Sequence, residues 1–355
     1  LNGNPQHLLL TGERGIGKSS LLFYADLVAR GEIEDDHTNF NFITVSTDLA
    51  GISSQVGLIK QVARELRSKL RQHQKLQDKA RKVWEFLSNW EVLGVKYNAR
   101  DDELDPDELL DDLVTICDQL IGSEQFDGVV FLLDEADSPP AAANLGEFVK
   151  VFTERLSKRG QPHLLLILAG QSLLISRLRE SHESSLRVFQ IVDMHPLEQS
   201  ERRAVVQRGI SIANEKNERK TAISDDALDL IAMLSEGYPH FVQQFSSSAF
   251  QVDTDDKIDI HDVSTGAYSE NGAISQLGAK YFSKQYFSKI LSSEYRKVLD
   301  YMATHGDQWV SRKDIIQNCG VASTNVDNAL MALKSREIVL ADDARRGFYR
   351  LPTRS

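Results

Sequence analysis

The stretch HLLLTGERGIGKSSLLFYADLVAR, residues 7–30, decides the fold. Its first five residues are an apolar run typical of a buried parallel strand, and residues 19–30 repeat apolar side chains at helical spacing. Between them, residues 12–19 fit the pattern G-x-x-x-x-G-K-[ST]. A strand, a glycine loop and a helix in this order aim backbone N–H groups at phosphate groups. The stretch predicts a nucleoside triphosphate site; the alternative is a glycine-rich surface turn.

Each residue type in this loop has a physical role. Glycines let consecutive N–H groups wrap around phosphates, because they carry no Cβ. Lys18 is predicted to reach the β- and γ-phosphates, and Ser19 to ligate Mg²⁺. The residues predicted to bind the nucleotide here are Gly12, Glu13, Arg14, Gly15, Ile16, Gly17, Lys18, Ser19 and Ser20.

A second apolar run ends in two acids. In GVVFLLDEAD, residues 128–137, a predicted strand is followed by Asp134 and Glu135. Asp134 is predicted to hold the metal through water, and Glu135 to polarise the water that attacks the γ-phosphate. Read alone, the pair is also compatible with an ordinary charged turn, but it strengthens the nucleotide interpretation of the loop.

A third apolar run, HLLLILAGQ at residues 163–171, ends in Gln171. This is the position of a γ-phosphate sensor, although a polar residue also suits the end of any strand. NFITVS, residues 41–46, supplies a further strand. These runs predict an α/β fold in which a parallel sheet is sandwiched by helices.

Helical patterns occupy the region between the predicted strand at residues 41–46 and the predicted strand that begins at residue 128. Residues 56–72 place Leu58, Ile59, Val62, Leu66 and Leu70 on one stripe, and residues 80–93 contain Trp84 and Trp90. The tryptophans suit either core packing or a partner helix. Asp105 is predicted to cap a third helix that starts at Pro106 and whose acidic first turn is a solvated face.

The C-terminal part has the pattern of a winged helix. Ser323 is predicted to cap a recognition-type helix, and residues 338–340 and 348–351 to form a hairpin with a short wing. Its polar surface fits DNA phosphates or a protein partner, and both remain open. The candidate DNA-binding residues are Thr324, Asn325, Asn328, Lys334, Arg336, Arg345, Arg346 and Arg350.

Composition limits the remaining function classes. The 355 residues carry a net charge of −11, so the whole surface is not expected to be a nucleic-acid platform. The two cysteines, Cys117 and Cys319, lie far apart and are predicted to be buried free thiols in a reducing compartment. No signal peptide or membrane-spanning run is visible. We expect a cytoplasmic or nucleoid-associated protein. The sequence leaves open whether residues upstream of Leu1 complete the nucleotide site.

The motifs together carry a family resemblance. GERGIGKSS, FLLDEAD, LAGQ, LRVFQIVDMHPLEQSER (186–202) and SEGYPHFVQQF (235–245) resemble AAA+ or STAND-type ATPases, most closely the archaeal-type and origin-recognition-like branch. The resemblance covers nearly the whole chain. It implies an ATPase core over 1–195 with a helical insertion at about 56–122, a helical lid over 196–252, a linker over 253–278 and a winged helix over 279–355.

The resemblance also implies two further sets of site residues. A lid arginine is expected after the turn at Gly237, but His240 stands there; it suits either a phosphate contact when protonated or a helix start without a catalytic part. Tyr238 and Pro239 are expected to pack against the adenine or the core. Arg187 is the first candidate, before Arg177 and Arg179, for an arginine finger donated across a subunit interface. A solvated surface role fits these three residues equally.

The function implied is an ATP hydrolase that requires ATP and Mg²⁺ and couples nucleotide state to oligomerisation and DNA engagement. Self-association through the core and an unidentified protein partner are expected. The alternative is a STAND-like signalling switch whose winged helix contacts protein.

Overall fold

The computed structural model describes most of the chain, which divides into two units. The units are Leu1–His195 and Pro196–Ser355. The described residues are 6–33, 40–72, 104–121, 126–161, 163–283, 286, 290–306, 308–336, 338–342 and 345–351.

The first unit is built on a five-stranded parallel sheet in the order β2-β3-β4-β1-β5. The strands are β1 (His7–Thr11), β2 (Phe42–Asp48), β3 (Gly128–Asp134), β4 (Leu164–Gly170) and β5 (Phe189–Asp193). Because all five run in the same direction, their carboxyl ends meet at one edge of the sheet. The predicted α/β fold is confirmed.

Helices cover both faces of this sheet. They are α1 (Lys18–Ala29), α2 (Gln55–Gln72), α3 (Pro106–Ile121), α4 (Leu145–Lys158) and α5 (Leu173–Ser181). Alternate strand residues point to opposite faces, so Phe131 belongs to the larger core with α2, α3 and α4, whereas Leu132 packs beneath α1. Strands buried on both faces explain the continuous apolar runs in the sequence.

Most predicted helix faces are confirmed. The five stripe residues of α2 are all buried, and the backbone N–H of Asp107 donates to Asp105 Oδ1 at 2.8 Å, which makes Asp105 the cap of α3. The apolar face predicted for α1 is only partly buried, since Leu21 is 38% exposed. The buried residues of α1 include Asp26, which forms an ion pair with Arg30. The predicted helix at 80–93, with Trp84 and Trp90, lies outside the described residues.

The second unit begins with a helical segment, residues 196–278. It contains α6 (Gln199–Lys216), α7 (Asp225–Leu234), α8 (Pro239–Val252), α9 (Ile260–Tyr268) and α10 (Ala273–Leu277). Two-residue strands, β6 (Ala222–Ile223) and β7 (Lys257–Ile258), join it. The linker predicted over 253–278 is therefore wrong.

Small residues account for that error. Gly266 of α9 approaches α8 so closely that an added Cβ would lie 2.5 Å from the Ser248 carbonyl oxygen. The segment packs through Gly266, Val263 and Ala267, which give little apolar periodicity in the sequence. Close backbone contact, not a wide apolar stripe, holds α9 in place.

The C-terminal segment, residues 290–351, has three helices and a three-stranded antiparallel sheet in the order β8-β10-β9. The helices are α11 (Ser293–Ala303), α12 (Arg312–Asn318) and α13 (Ser323–Ser335), and the strands are β8 (Val310–Ser311), β9 (Leu340–Ala341) and β10 (Phe348–Arg350). Ser323 is the first helical residue of α13 and not its cap, which is Ala322 and makes no side-chain capping bond.

The cysteines differ in environment. Cys117 in α3 is fully buried, and burial together with the neighbouring Asp118 raises the pKa of its thiol. Cys319 is only partly buried, so the prediction of two buried thiols holds for Cys117 alone. Within the described ranges, no helix combines the length and apolar character that crossing a membrane requires.

Candidate functional site

The glycine loop, residues 12–17, connects the carboxyl end of β1 to α1. Gly12 passes so close to the end of β5 that an added Cβ would lie 2.9 Å from the Met194 carbonyl oxygen. Gly17 caps α1 with φ 105°, in the left-handed region that favours glycine. The loop thus leads directly into a free helix N-terminus, the geometry that suits an anion.

Lys18 is held at the loop by its own backbone. Its Nζ donates to the carbonyl oxygens of Gly12 at 2.7 Å and of Glu13 at 2.8 Å. Burial lowers the pKa of Lys18, and the negative charges of Asp137, Asp134 and Glu13 act in the opposite direction. Ser19 and Ser20 follow on the exposed first turn of α1, and Glu13 and Arg14 are also exposed.

The predicted acidic pair lies at the carboxyl end of β3. Glu135 has φ 47°, and its backbone N–H donates to Asp134 Oδ1 at 2.8 Å. The exposed Glu135 side chain is close to several charges. Burial and the carboxylates of Asp48, Asp134 and Asp137 raise the pKa of Glu135, whereas Arg14 lowers it.

Gln171 follows β4 at the same edge. Its backbone N–H donates to Asp137 Oδ1 at 3.0 Å, and its Nε2 donates to Asp137 Oδ2 at 3.3 Å. Gln171 is exposed, so its amide faces the space beyond the strand ends. The parallel sheet therefore brings Lys18, Asp134, Glu135 and Gln171 to one edge.

Two carboxylates at this edge were missed in the sequence. Asp48 ends β2 in register with Asp134, and Asp137 approaches both Lys18 and Glu135 closely enough to affect their pKa values. Counting the acids that follow each predicted strand would have found Asp48. Asp137 is the last residue of the DEAD tetrapeptide, but only the fold shows that it faces Gln171.

The donor set of this edge fits magnesium. Mg²⁺ is usually bound through one or two carboxylates together with substrate phosphates and water. Ser19 and Asp134 supply oxygen donors of that kind. Among the described residues, no group of three or more His, Cys, Asp and Glu side chains is arranged to hold a metal ion.

The candidate arginines lie elsewhere in the first unit. Arg187 belongs to a short 3₁₀ turn, Ser185–Val188, that precedes β5. It therefore lies at the amino edge of the sheet, a strand length of roughly 17 Å from the carboxyl edge. Arg177 and Arg179 belong to α5. Arg187 is exposed and makes no ion pair with any described residue. It cannot reach the carboxyl edge of its own sheet.

The predicted lid residues belong to the second unit. Tyr238 is buried there and contacts the Phe241 ring at 5.2 Å between centroids, and Pro239 is the first residue of α8. His240 Nε2 lies 3.3 Å from Lys280 Nζ. Burial and the Lys280 charge lower the pKa of His240, which disfavours the protonated form that a phosphate contact would use. For Tyr238, core packing is the observed alternative.

In the C-terminal segment, α13 distributes its predicted contact residues unevenly. Thr324, Asn328 and Lys334 are exposed, as is Arg336 just after the helix. Asn325 instead donates to Glu294 Oε2 at 2.8 Å and is partly buried. The four predicted inward residues Val326, Ala329, Leu330 and Leu333 are all buried, as expected.

The arginines of the predicted wing differ in their contacts. Arg345 donates to Asp342 Oδ2 at 2.6 Å and lies over the Trp309 and Phe348 rings at 5.7 and 4.9 Å. Arg350 lies over the Trp309 ring at 5.2 Å. Arg346 is exposed and makes no ion pair with the residues that the structure describes. Only Arg346 is presented outward without such contacts.

With this geometry known, the chain can be compared with other proteins. No protein-family model matches it, and no curated protein matches it. The ORC2 protein of Aeropyrum pernix, solved as ADPNP–ADP complexes, is 14% identical, with 98% of this chain and 84% of that chain covered and a TM-score of 0.58. This chain shares its fold with the A. pernix ORC2 protein.

Other solved structures match with lower scores. The ADP form of the same A. pernix protein is 15% identical over 98% of this chain and 84% of that chain, with a TM-score of 0.49. Cdc6p of Pyrobaculum aerophilum is 15% identical over 99% and 85%, with a TM-score of 0.46. At these identities the likeness concerns the fold.

Proposed function

We propose that this protein binds ATP with Mg²⁺ at the carboxyl edge of its parallel sheet, hydrolyses it, and couples the nucleotide state to assembly and DNA engagement. One observation carries the proposal: three strand ends bring Lys18, Asp134, Glu135 and Gln171 to the loop at the N-terminus of α1. A solved structure of the same fold, the A. pernix ORC2 protein, contains ADPNP and ADP.

The chemistry is water attack on the γ-phosphorus, which forms a new P–O bond as the bond to the β,γ-bridging oxygen breaks and ADP leaves. Lys18 neutralises phosphate charge, and Ser19 and Asp134 hold Mg²⁺, which supplies further neutralisation when bound. Glu135 accepts a proton from the attacking water, which needs the carboxylate form. Gln171 donates to the γ-phosphate. Because Arg187 is at the opposite edge of the sheet, it acts only on a nucleotide held by a second copy.

The first test compares nucleotide binding and hydrolysis in matched variants. Lys18→Ala is expected to weaken ATP binding about 100-fold, because it removes a charge-assisted contact. Glu135→Gln is expected to keep the affinity and stop hydrolysis. Lys158→Ala, an exposed lysine at the end of α4, is the control and should resemble wild type. If Glu135→Gln also failed to bind ATP, the assigned roles would be wrong.

DNA engagement is proposed for the C-terminal segment, as a winged helix whose α13 and Arg346 contact the phosphate backbone. ATP turnover is measured with and without double-stranded DNA at two salt concentrations, with Glu135→Gln as the blank. Stimulation that fades with salt supports this role, because phosphate contacts release counterions. A rate indifferent to DNA contradicts it.

A second candidate function is a signalling switch whose winged helix contacts protein. Met331 is the residue on which this candidate is tested, because it is an apolar side chain of α13 that is 68% exposed. Met331→Ala and Arg346→Ala separate the candidates. If Arg346→Ala loses DNA and Met331→Ala does not affect assembly, DNA engagement is supported; altered assembly with unchanged DNA retention supports the switch.

A further inference from the structure

Asp137 lies at the centre of the candidate site but has no part in the chemistry proposed above. It is the third residue after Asp134, in the turn that follows β3. Both of its carboxylate oxygens accept hydrogen bonds from Gln171, one from the backbone N–H at 3.0 Å and one from Nε2 at 3.3 Å. One side chain thus fixes both the position and the orientation of the residue that ends β4.

The turn around Asp137 is also joined to β4 through the backbone. The N–H of Ala136 donates to the carbonyl oxygen of Ala169 at 2.9 Å. A Cβ added to Gly170 would lie 2.6 Å from Asp137 Oδ1 and 3.1 Å from the Asp137 backbone nitrogen. The missing side chain at Gly170 therefore makes the space in which the Asp137 carboxylate lies. These contacts place the ends of β3 and β4 in one fixed arrangement.

We infer that Asp137 is a positioning residue that holds the Gln171 amide in the orientation for contact with the terminal phosphate. The inference rests on the proposed function. A carboxylate only accepts hydrogen bonds, so it requires the NH₂ group of Gln171, and not its carbonyl oxygen, to face Asp137. The second N–H of that group and Oε1 remain for the phosphate and the attacking water.

The need for such a partner follows from the exposure of Gln171. The terminal torsion of a glutamine is broad and roughly two-fold, so a solvated amide presents either its nitrogen or its oxygen. Asp137 removes that ambiguity before the nucleotide binds. Asn at this position would offer an NH₂ group as well as an oxygen, so the Gln171 amide could satisfy it in the reversed orientation.

The test must separate orientation from charge, because Asp137 also acts electrostatically on Lys18 and Glu135. Affinities for Mg²⁺–ADPNP and Mg²⁺–ADP are measured for the whole chain by titration calorimetry. Gln171→Ala, Asp137→Asn and the double variant form a cycle that isolates the coupling between the two residues. Asp137→Glu keeps the charge and moves the carboxylate by one methylene. Asp118→Asn, an acid on α3 that pairs with Arg159, is the matched control.

Loss of one oriented hydrogen bond is expected to cost about 10-fold in ADPNP affinity for Asp137→Asn, with ADP affinity within about 2-fold of wild type. Gln171→Ala and Asp137→Glu should show the same selective loss, and the double variant should be no weaker than Gln171→Ala. Asp118→Asn should match wild type.

Other outcomes overturn the inference. Additive losses in the double variant show that Asp137 acts independently of Gln171. An equal loss for ADP and ADPNP, or wild-type ADPNP affinity of Asp137→Glu, shows a charge effect on Lys18 or the metal. Wild-type protein that binds neither nucleotide overturns the proposed function and the positioning role with it, whereas wild-type binding with an unaffected Asp137→Asn overturns the positioning role alone.

Discussion

The carboxyl edge of the sheet and the outer surface of the C-terminal segment hold their polar residues in different ways. At the sheet edge, the side chains of Lys18 and Asp134 are held by hydrogen bonds to backbone groups. In the C-terminal segment, side chains pair with one another, as Asn325 does with Glu294 and Arg312 with Asp327 at 2.7 Å. Side chains that are held by backbone groups remain available to a ligand. Side chains that pair with one another have most of their hydrogen-bonding groups occupied within the protein.

The sharpest test of this difference is to remove one side chain from the sheet edge without changing the fold. Glu135→Gln is expected to lower the hydrolysis rate about 1000-fold, because a positioned base contributes factors of this order. Its melting temperature should stay that of wild type, since Glu135 is exposed. Glu147→Gln, in the first turn of α4, serves as the control. A 1000-fold loss in that control as well would mean that the sheet edge is not the site.

The second prediction concerns His7, which supports the sheet from which the edge is built. His7 is buried, its Nδ1 accepts the N–H of Leu166 at 3.2 Å, and burial lowers its pKa to about 4. His7 therefore takes up a proton near pH 6.5 in the unfolded chain, but only near pH 4 in the folded chain. Stability from neutral His7 is present above pH 6.5 and is lost as the pH falls towards 4.

Urea unfolding followed between pH 7.5 and 4.5 checks this. His7→Gln should remove about 2.5 kcal/mol of the pH-dependent loss in unfolding free energy that wild type shows over this range. His261→Gln, an exposed histidine of α9, should keep the wild-type dependence. Identical curves for His7→Gln and wild type would show that His7 does not carry the effect.

The third prediction concerns two adjacent arginines of the predicted wing. Arg345 has contacts within the C-terminal segment, whereas Arg346 makes no ion pair with the described residues. Arg345→Ala should destabilise the C-terminal segment by about 1 kcal/mol, because it removes the cation–π contacts with Trp309 and Phe348. Arg346→Ala should leave stability unchanged and reduce the salt dependence of DNA binding by about one phosphate contact. Thermal melts and salt titrations distinguish them, and the reverse assignment of effects would contradict the structure.

The smallest expected effect is a shift in pH dependence at the sheet edge. Hydrolysis needs ionised Glu135, and burial with three neighbouring carboxylates raises its pKa, so activity should fall on the acid side at a pH above the ordinary value of 4.5. Asp48→Asn removes one of those charges and should move this acid limb to lower pH. The pH profile of turnover for both proteins is the measurement. An unmoved limb would show that Asp48 does not influence the base.

The sequence predicted most of what backbone geometry determines. The loop, the three strand ends and the helix faces of α2 and α3 follow from short-range patterns, because apolar runs and glycine spacing report local structure. Asp137 could not be assigned, since its hydrogen bonds join residues that are 34 positions apart. The pairing of Asn325 with Glu294, 31 positions away, was missed for the same reason. The packing of α9 through Gly266 gave no apolar period from which to predict a helix.

The stack of Arg345 and Arg350 on Trp309 has an optical consequence. The indole ring of Trp309 lies close to two guanidinium groups, so its emission should change when either charge moves away. The chain has three tryptophans, so replacing Trp84 and Trp90 by phenylalanine would leave Trp309 as the sole indole fluorophore. The fluorescence of Trp309 would then report on the position of Arg345. A polyanion that moved Arg345 away from the ring would change the emission spectrum, without any attached label.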